Sequence, residues 1–391
     1  MPASFRDRAA IVGIGETGYW LGTPKSDLDL SLEAAALAIR DAGLDPRDID
    51  GIVLPGGGPV TAGDYALNFG IEDLVYTVSL REFGGAMCIA ALETAAMTVA
   101  AGLCRNVLVP WAVRLYSERQ LARTMSASPA TGTPQGATYR DFYAPFGMTG
   151  IFQFYSWHCR RHMTEYGTTH EQLGRVAVAS RKHAALHPGA LLRDRPLTME
   201  DYLRSEWATY PYRHADCLVE TDGGAAVVIT GAERARDRRA RPVYVMGVGS
   251  GSPYPANDMT NFKDFFAMGS TFAARRAFPM AGITPRDLDF AEIYDIFTYQ
   301  VIAHLEEIGV CQRGEGGPFV EDGRIELGGE LPVNTHGGNL AHATCQSMNH
   351  LVEAVRQLRG DAGRRQVADA EIGVVVGLGG GAHGAVAILR R

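Results

Sequence analysis

The chain of 391 residues is long enough for two or three domains, or for two fused halves around a large core. Hydrophobic residues make up 46% and charged residues 21%, an ordinary globular balance, and a net charge of -7 excludes the basic face that nucleic acid requires. No stretch approaches the ~18 apolar residues of a membrane span, and the opening MPASFRDRAAIVGIGETG has no signal-peptide core. The six cysteines are scattered without a CxxC pair, which argues against a metal site or disulfide framework and predicts a reduced, cytoplasmic setting.

In chain order, AGLDPRDIDGIVLP (42–55) reads as a helix end, a turn and a buried strand. FGGAMCIAALETAAMTVAAG (83–102) reads as a Gly-Gly pair opening a long helix of small and apolar residues. Residues from about 115 to 215 are polar and rich in Arg, His and Tyr, with a helical stretch near 169–186. DGGAAVVIT (222–230) is a glycine-led, β-branched strand. Three of these patterns then return in the same order. AGITPRDLDFAEIYD (281–295) repeats the first, HGGNLAHATCQSMNHLVEAVRQLRG (336–360) the Gly-Gly helix, and GGGAHGAVAIL (379–389) the last strand. Three ordered matches argue for a duplication of alternating strands and helices, hence a layered α/β fold. The halves are expected at 1–240 and 241–391. The stretch 115–215 has no counterpart and reads as an insertion covering a site. Its cations Arg160, Arg161, Arg181 and Lys182 could hold phosphates or lie on a solvated face.

The opening AAIVGIGETGY, YPYRHADCLVETDGGAAVVIT, the YDIF motif at 294–297, NTHGGNL and the closing GLGGGAHG together resemble the thiolase superfamily over nearly the whole chain, in its sterol carrier protein-type branch. The resemblance implies a duplicated thiolase fold (αβαβα layered halves), at least a dimer, and acyl-CoA thioesters as ligands. It also shows three losses. Gly85 stands in the nucleophile's place, with Cys88 nearly one turn on; Thr344 replaces the histidine base, with Cys345 where a proline was; Gly377 replaces the second cysteine. Without a thiolate in position there is nowhere to park an acyl group. The same losses occur in thiolase-like aldolases that shorten steroid side chains, a chemistry that needs a base, a stabilised enolate and an acid.

The function so implied is retro-aldol cleavage of a β-hydroxyacyl-CoA with a bulky side chain of the steroid kind, releasing a ketone and a short acyl-CoA. A non-catalytic acyl-CoA-binding subunit and an acyltransferase using Cys345 stay open beside it. Candidate catalytic residues are Tyr294, Asp295, His336, Thr344 and Cys345; Gly85, Gly338, Gly379 and Gly380 are candidate oxyanion or substrate contacts. His342 is expected to pack or cap, His383 to support the glycine loop, and Asp216 and Asp222 to fix turns. No metal or redox cofactor is expected, CoA being part of the substrate. The resemblance implies a homodimer joined by a small OB-fold and zinc-ribbon partner.

Overall fold

A computed structural model of the chain describes residues 5–80, 84–118, 139–148, 151–236, 240–255, 259–379 and 383–391. In the first half lie strands β1 (Ala9–Glu16), β2 (Gly51–Leu54), β3 (Tyr76–Ser79), β4 (Asn106–Arg114) and β7 (Asp222–Gly231), with helices α1 (Asp27–Asp41), α2 (Ala62–Phe69) and α3 (Ala86–Ala100). The insertion between β4 and β7 carries helices α4 (Ile151–Tyr166), α5 (His170–Leu186) and α6 (Met199–Arg204) and a hairpin of β5 (Trp207–Thr209) and β6 (Tyr212–Arg213). The second half has strands β8 (Val243–Gly251), β9 (Phe290–Ile293), β10 (Ile372–Leu378) and β11 (Gly384–Arg390), with helices α7 (Gly269–Ala281), α8 (Thr298–Glu307), α9 (Gly338–Ala341) and α10 (Met348–Arg359).

Nine strands run in the order β3-β2-β4-β7-β1-β8-β11-β10-β9. The duplication is written into that order. From the edge inward, β2-β4-β7-β1 and β9-β10-β11-β8 each have one parallel pair followed by two antiparallel pairs. The two sets meet at Ala10↔Tyr244 and Ile11↔Val243. Both Pro-Arg-Asp turns form 3₁₀ turns before β2 and β9, each closed by its last aspartate on the backbone N–H three residues before it.

A fourth repeat was not noticed in the sequence. VGIG in β1 and MGVG in β8 place glycines against the following helix. A Cβ at Gly13 or Gly15 would strike the Ala38 or Ala34 carbonyl, and one at Gly249 would stand 2.6 Å from that of Ala273. Only a bare Cα lets helix and strand approach so closely.

The halves part company in their connections. Residues 115–221 join β4 to β7, whereas 379–383 suffice between β10 and β11. The insertion packs Phe154, Tyr155, Cys159 and Leu173 into one core with Phe297, Ile302 and Leu305 of the second half. One expectation needs correction. The Gly-Gly segment at 337–338 does not open one long helix like α3. It forms the short α9, leaves helical geometry, and restarts at Met348. The restart turns on Gln346 (φ 52°) and Ser347 (φ 68°), both left-handed without being glycine. Among the described residues, no helix is long and apolar enough to cross a membrane.

Candidate active site

Tyr294 follows β9 directly, and its N–H donates to the Val376 carbonyl of β10 at 2.9 Å. Asn334 braces the preceding residue from both sides, accepting from the Ile293 N–H at 2.6 Å and donating to its carbonyl at 2.8 Å. The strand end is therefore rigid, and the Tyr294 ring is buried over the start of α3. A Cβ on Gly85 would lie 2.6 Å from Tyr294 Cγ and 2.6 Å from Ser347 Oγ. The ring thus fills the room that a side chain at 85 would need. Gly377 is closed in the same way, since its Cβ would stand 2.5 Å from the Gly85 carbonyl. Both positions expected to have lost a cysteine have also lost the space for one.

The Tyr294 hydroxyl donates to Gln346 Oε1 at 3.3 Å. Burial pushes its phenol pKa well above the ordinary value, and the Asp295 carboxylate and the Cys88 thiol push the same way. The residue is a neutral phenol, a proton donor rather than a phenolate base.

Asp295 faces away from that phenol's partner and into a cap. It accepts from the Asn339 N–H at 2.8 Å and the Leu340 N–H at 3.3 Å, and stands 3.1 Å from His350 Nε2. Its carboxylate closes the N-terminus of α9. Gly338 serves this cap: at φ 62°, a Cβ there would lie 2.8 Å from Asp295 Cγ.

His336 lies one layer deeper, with Nδ1 2.9 Å from Glu292 Oε2. Burial alone would hold its pKa down; Glu292, with Glu353 and Asp295 behind it, outweighs burial and raises it. Glu292 also accepts from Thr335 Oγ1 at 2.9 Å. Thr335 in turn touches Glu353, which Arg365 grips at 2.7 and 2.8 Å. The His336 ring stands edge-on to His350 at 4.8 Å and to His342 at 5.2 Å. His342 packs between His187 and Tyr19, as a packing residue.

Thr344 donates its hydroxyl to the Val219 carbonyl at 2.8 Å, and its N–H donates to Thr221 Oγ1 at 3.1 Å, so its one side-chain proton is engaged in joining two segments. Cys345 packs in the apolar core with Cys88 and Ala225. Burial pushes its thiol up, with Glu16 adding to it, which opposes the thiolate that an acyltransferase needs. The Gly379 N–H donates to the His383 carbonyl at 2.6 Å, so that amide is occupied. Gly380 lies outside the described residues.

Asp222 fixes turns, accepting from the N–H groups of Thr23 and Ser117. Asp216 accepts from Thr298 Oγ1, Tyr202 Oη and the Arg213 N–H, and burial still pushes it up to about 6. The insertion's cations have protein partners: Arg160 on Tyr210, Arg161 on Glu165, Arg181 on the Arg195 carbonyl and Lys182 on Glu326.

Residues 251–391 match the thiolase C-terminal domain-like family. The chain is 39% identical over 357 residues to a steroid side-chain-cleaving aldolase of Thermomonospora curvata, covering 90% of each protein. It is 37% identical to a 17-hydroxy-3-oxo-4-pregnene-20-carboxyl-CoA lyase of Mycobacterium tuberculosis, covering 90% of this chain and 92% of the relative. The solved Ltp2-ChsH2(DUF35) aldolase superposes with a TM-score of 0.92 at 36% identity, over 99% of both chains. The chain belongs to the thiolase superfamily. Within that superfamily it stands with thiolase-fold aldolases of the sterol carrier protein-type branch, not with the degradative thiolases. The site agrees in physical terms. The fold's helix start is kept, its thiolate positions are closed by backbone and by a tyrosine ring, and the polar shell lies on the second half.

Proposed function

We propose that this chain is a CoA-thioester aldolase that cleaves a β-hydroxyacyl-CoA bearing a tertiary alcohol on a steroid side chain, giving a ketone and a short acyl-CoA. One observation carries the reading. The Tyr294 ring lies where a nucleophile's side chain would have to be, so covalent acyl transfer is blocked and a proton donor stands in its place. Retro-aldol cleavage needs no covalent intermediate. The Cα–Cβ electron pair moves into the thioester, and the enolate oxygen is stabilised by backbone amides at the start of α3. The neutral Tyr294 phenol then protonates the α-carbon. Asp295 and His350 act on this step indirectly, by holding α9 and the loop before α10 against the tyrosine.

Proton transfer and an oxyanion site complete this reaction, so the proposal includes no metal or redox cofactor. It does include a homodimer and a small OB-fold, zinc-ribbon partner; support for a partner comes from the Ltp2-ChsH2(DUF35) assembly. We read the halves as meeting near residue 240, between β7 and β8, with 115–215 as the insertion. The test is direct. The chain, alone and with a DUF35-type partner, is incubated with a steroid β-hydroxyacyl-CoA carrying a tertiary alcohol. A ketone and acetyl- or propionyl-CoA are expected in equal amounts. Tight binding without cleavage in both arms would instead establish a non-catalytic acyl-CoA-binding subunit.

A further inference from the structure

Aldol cleavage moves a proton off the tertiary hydroxyl and a proton onto the α-carbon, and Tyr294 accounts for the second. The other catalytic candidates are engaged elsewhere, His336 against Glu292 one layer deeper. Thr344 gives its proton to Val219, Asp295 is occupied by two amides and His350, and the Cys345 thiol is packed in the core.

Tyr155, on α4 of the insertion, is not so committed. It is only 5% exposed. Its ring lies 5.2 Å from Phe154 and 5.9 Å from Phe297, three residues beyond Tyr294. Phe297 stacks on Tyr212 at 4.5 Å, and the Tyr212 hydroxyl donates to the Tyr155 carbonyl at 3.0 Å. The aromatic wall thus fixes where the Tyr155 hydroxyl points. It reaches the Gly379 carbonyl at 3.5 Å, a long contact that leaves the hydroxyl free to turn toward a ligand. Gly379 follows the strand end whose Gly377 lies against Gly85, so the phenol approaches the start of α3 from the insertion's side. Tyr155 and Tyr294 are near enough that charge on one opposes ionisation of the other, after burial has already done so.

The geometry points to Tyr155 as the catalytic residue that takes the substrate's hydroxyl proton, an inference that rests on the aldolase reading. The O–H bond of the substrate breaks as its proton passes to Tyr155 Oη, while the proton that Tyr155 gives up is relayed by way of one water to Tyr294 Oη. The Cα–Cβ bond breaks, its electron pair goes to the thioester enolate, and Cβ becomes the ketone. The proton that Tyr294 releases forms the new C–H bond. Both phenols begin and end neutral, and nothing is oxidised or reduced. The insertion is therefore part of the catalytic machinery as well as a cover.

Two measurements on Tyr155→Phe, which keeps the packed ring, test this. The first is cleavage of the tertiary β-hydroxyacyl-CoA. The second is hydrogen–deuterium exchange at the α-carbon of the short acyl-CoA product in D₂O without ketone, where water in the vacant ketone position substitutes for Tyr155. Cleavage is expected to fall on the order of 10²–10⁴-fold, the usual worth of one proton-transfer group, with α-carbon exchange kept; Tyr294→Phe should lose both. Near-wild-type cleavage by Tyr155→Phe overturns the inference. Equal loss of cleavage and exchange also overturns it, by making Tyr155 a support for the site. A wild-type chain that cleaves no such substrate overturns the aldolase reading itself, a distinct result.

Discussion

Helix α3 buries Ala86, Met87, Cys88, Ile89, Leu92 and further alanines, while its counterpart α10 buries Asn349, His350, Glu353, Gln357 and Arg359. The two occupy equivalent places after β2 and β9, and they touch. One half contributes a side-chain-free helix start that the Tyr294 ring covers; the other contributes the polar framework that holds Tyr294. After duplication the backbone plan stayed common, because glycine-led strands and capped turns serve both halves equally well. The side chains diverged, because a rigid polar shell on one side has to close against small, apolar residues on the other. The buried polar side chains of α10 are tolerated because they are tied down, Asn349 to the Ala343 carbonyl, His350 to Asp295, Glu353 to Arg365 and Arg359 to the Arg241 carbonyl.

The sharpest way to break this division is Tyr294→Phe. It removes the hydroxyl and keeps the ring over Gly85. Turnover is expected to fall on the order of 10²–10⁴-fold, with a stability loss no larger than the roughly 1 kcal/mol of one hydrogen bond. Because burial raises the phenol's pKa, the wild-type rate should show no tyrosinate limb below about pH 10, the ordinary tyrosine value. Wild-type turnover in the Phe variant would remove Tyr294 from the reaction.

Next in size is Arg365→Met. It strands the Glu353 carboxylate, which Arg365 holds well below the ordinary range against the upward push of burial. Losing one partner of a buried pair costs about 3–5 kcal/mol, read from denaturant midpoints. A loss under about 1 kcal/mol would mean that the shell of the second half is not the framework described. The opposite half is probed by Gly85→Cys. Its new Cβ must displace the Tyr294 ring or Ser347, so overpacking should cost about 1–3 kcal/mol. Adding Tyr294→Ala should recover part of that loss, and intact mass after acyl-CoA treatment of Gly85→Cys alone should show no acyl-enzyme.

His336 allows a finer test by pH. Its folded pKa is raised above the unfolded value of about 6.5. Its contribution is therefore fully present below about pH 6.5 and is lost as pH rises through the folded value. Between the two values the folded state holds the extra proton, so stability falls by about 1.4 kcal/mol per pH unit from this group. The slope in that window should be shallower in His336→Gln. Equal slopes would place the proton elsewhere.

Much of this division could be read in advance, and the reasons are local. The repeated Pro-Arg-Asp turns, the Gly-Gly pairs and the glycine-led strands are short patterns, and they sufficed for the duplicated fold. Gly85 and Gly377 were legible because a missing side chain is itself a sequence fact. The break between α9 and α10 was not, because HATCQS holds neither Gly nor Pro to mark it and only the left-handed Gln346 and Ser347 reveal the restart. Nor was Gln346 recognised as the partner of Tyr294, although it sits in that same motif. Tyr155 reads as one more aromatic on an amphipathic helix; its contact with Gly379 spans 224 residues and exists only after folding. Asp295 is a catalytic candidate by its place beside Tyr294, and its cap on α9, 44 residues away, exists only after folding.

The smallest expected effect concerns Thr344, a candidate base from its place in the motif. If the reactive part of the second half's shell ends at Tyr294, Thr344 only ties the loop before α10 to residues 219–221. Thr344→Val keeps the shape and removes the hydroxyl bonded to the Val219 carbonyl. A net hydrogen bond of this kind is worth about 1 kcal/mol, so the melting temperature should drop by only about 1 °C while cleavage stays close to wild type. The N–H bond to Thr221 is kept, which should hold the loop in register. A fall in turnover on the order of 10²-fold with little change in stability would reverse the assignment. It would extend the reactive shell to residue 344 and give Thr344 the hydroxyl proton here assigned to Tyr155.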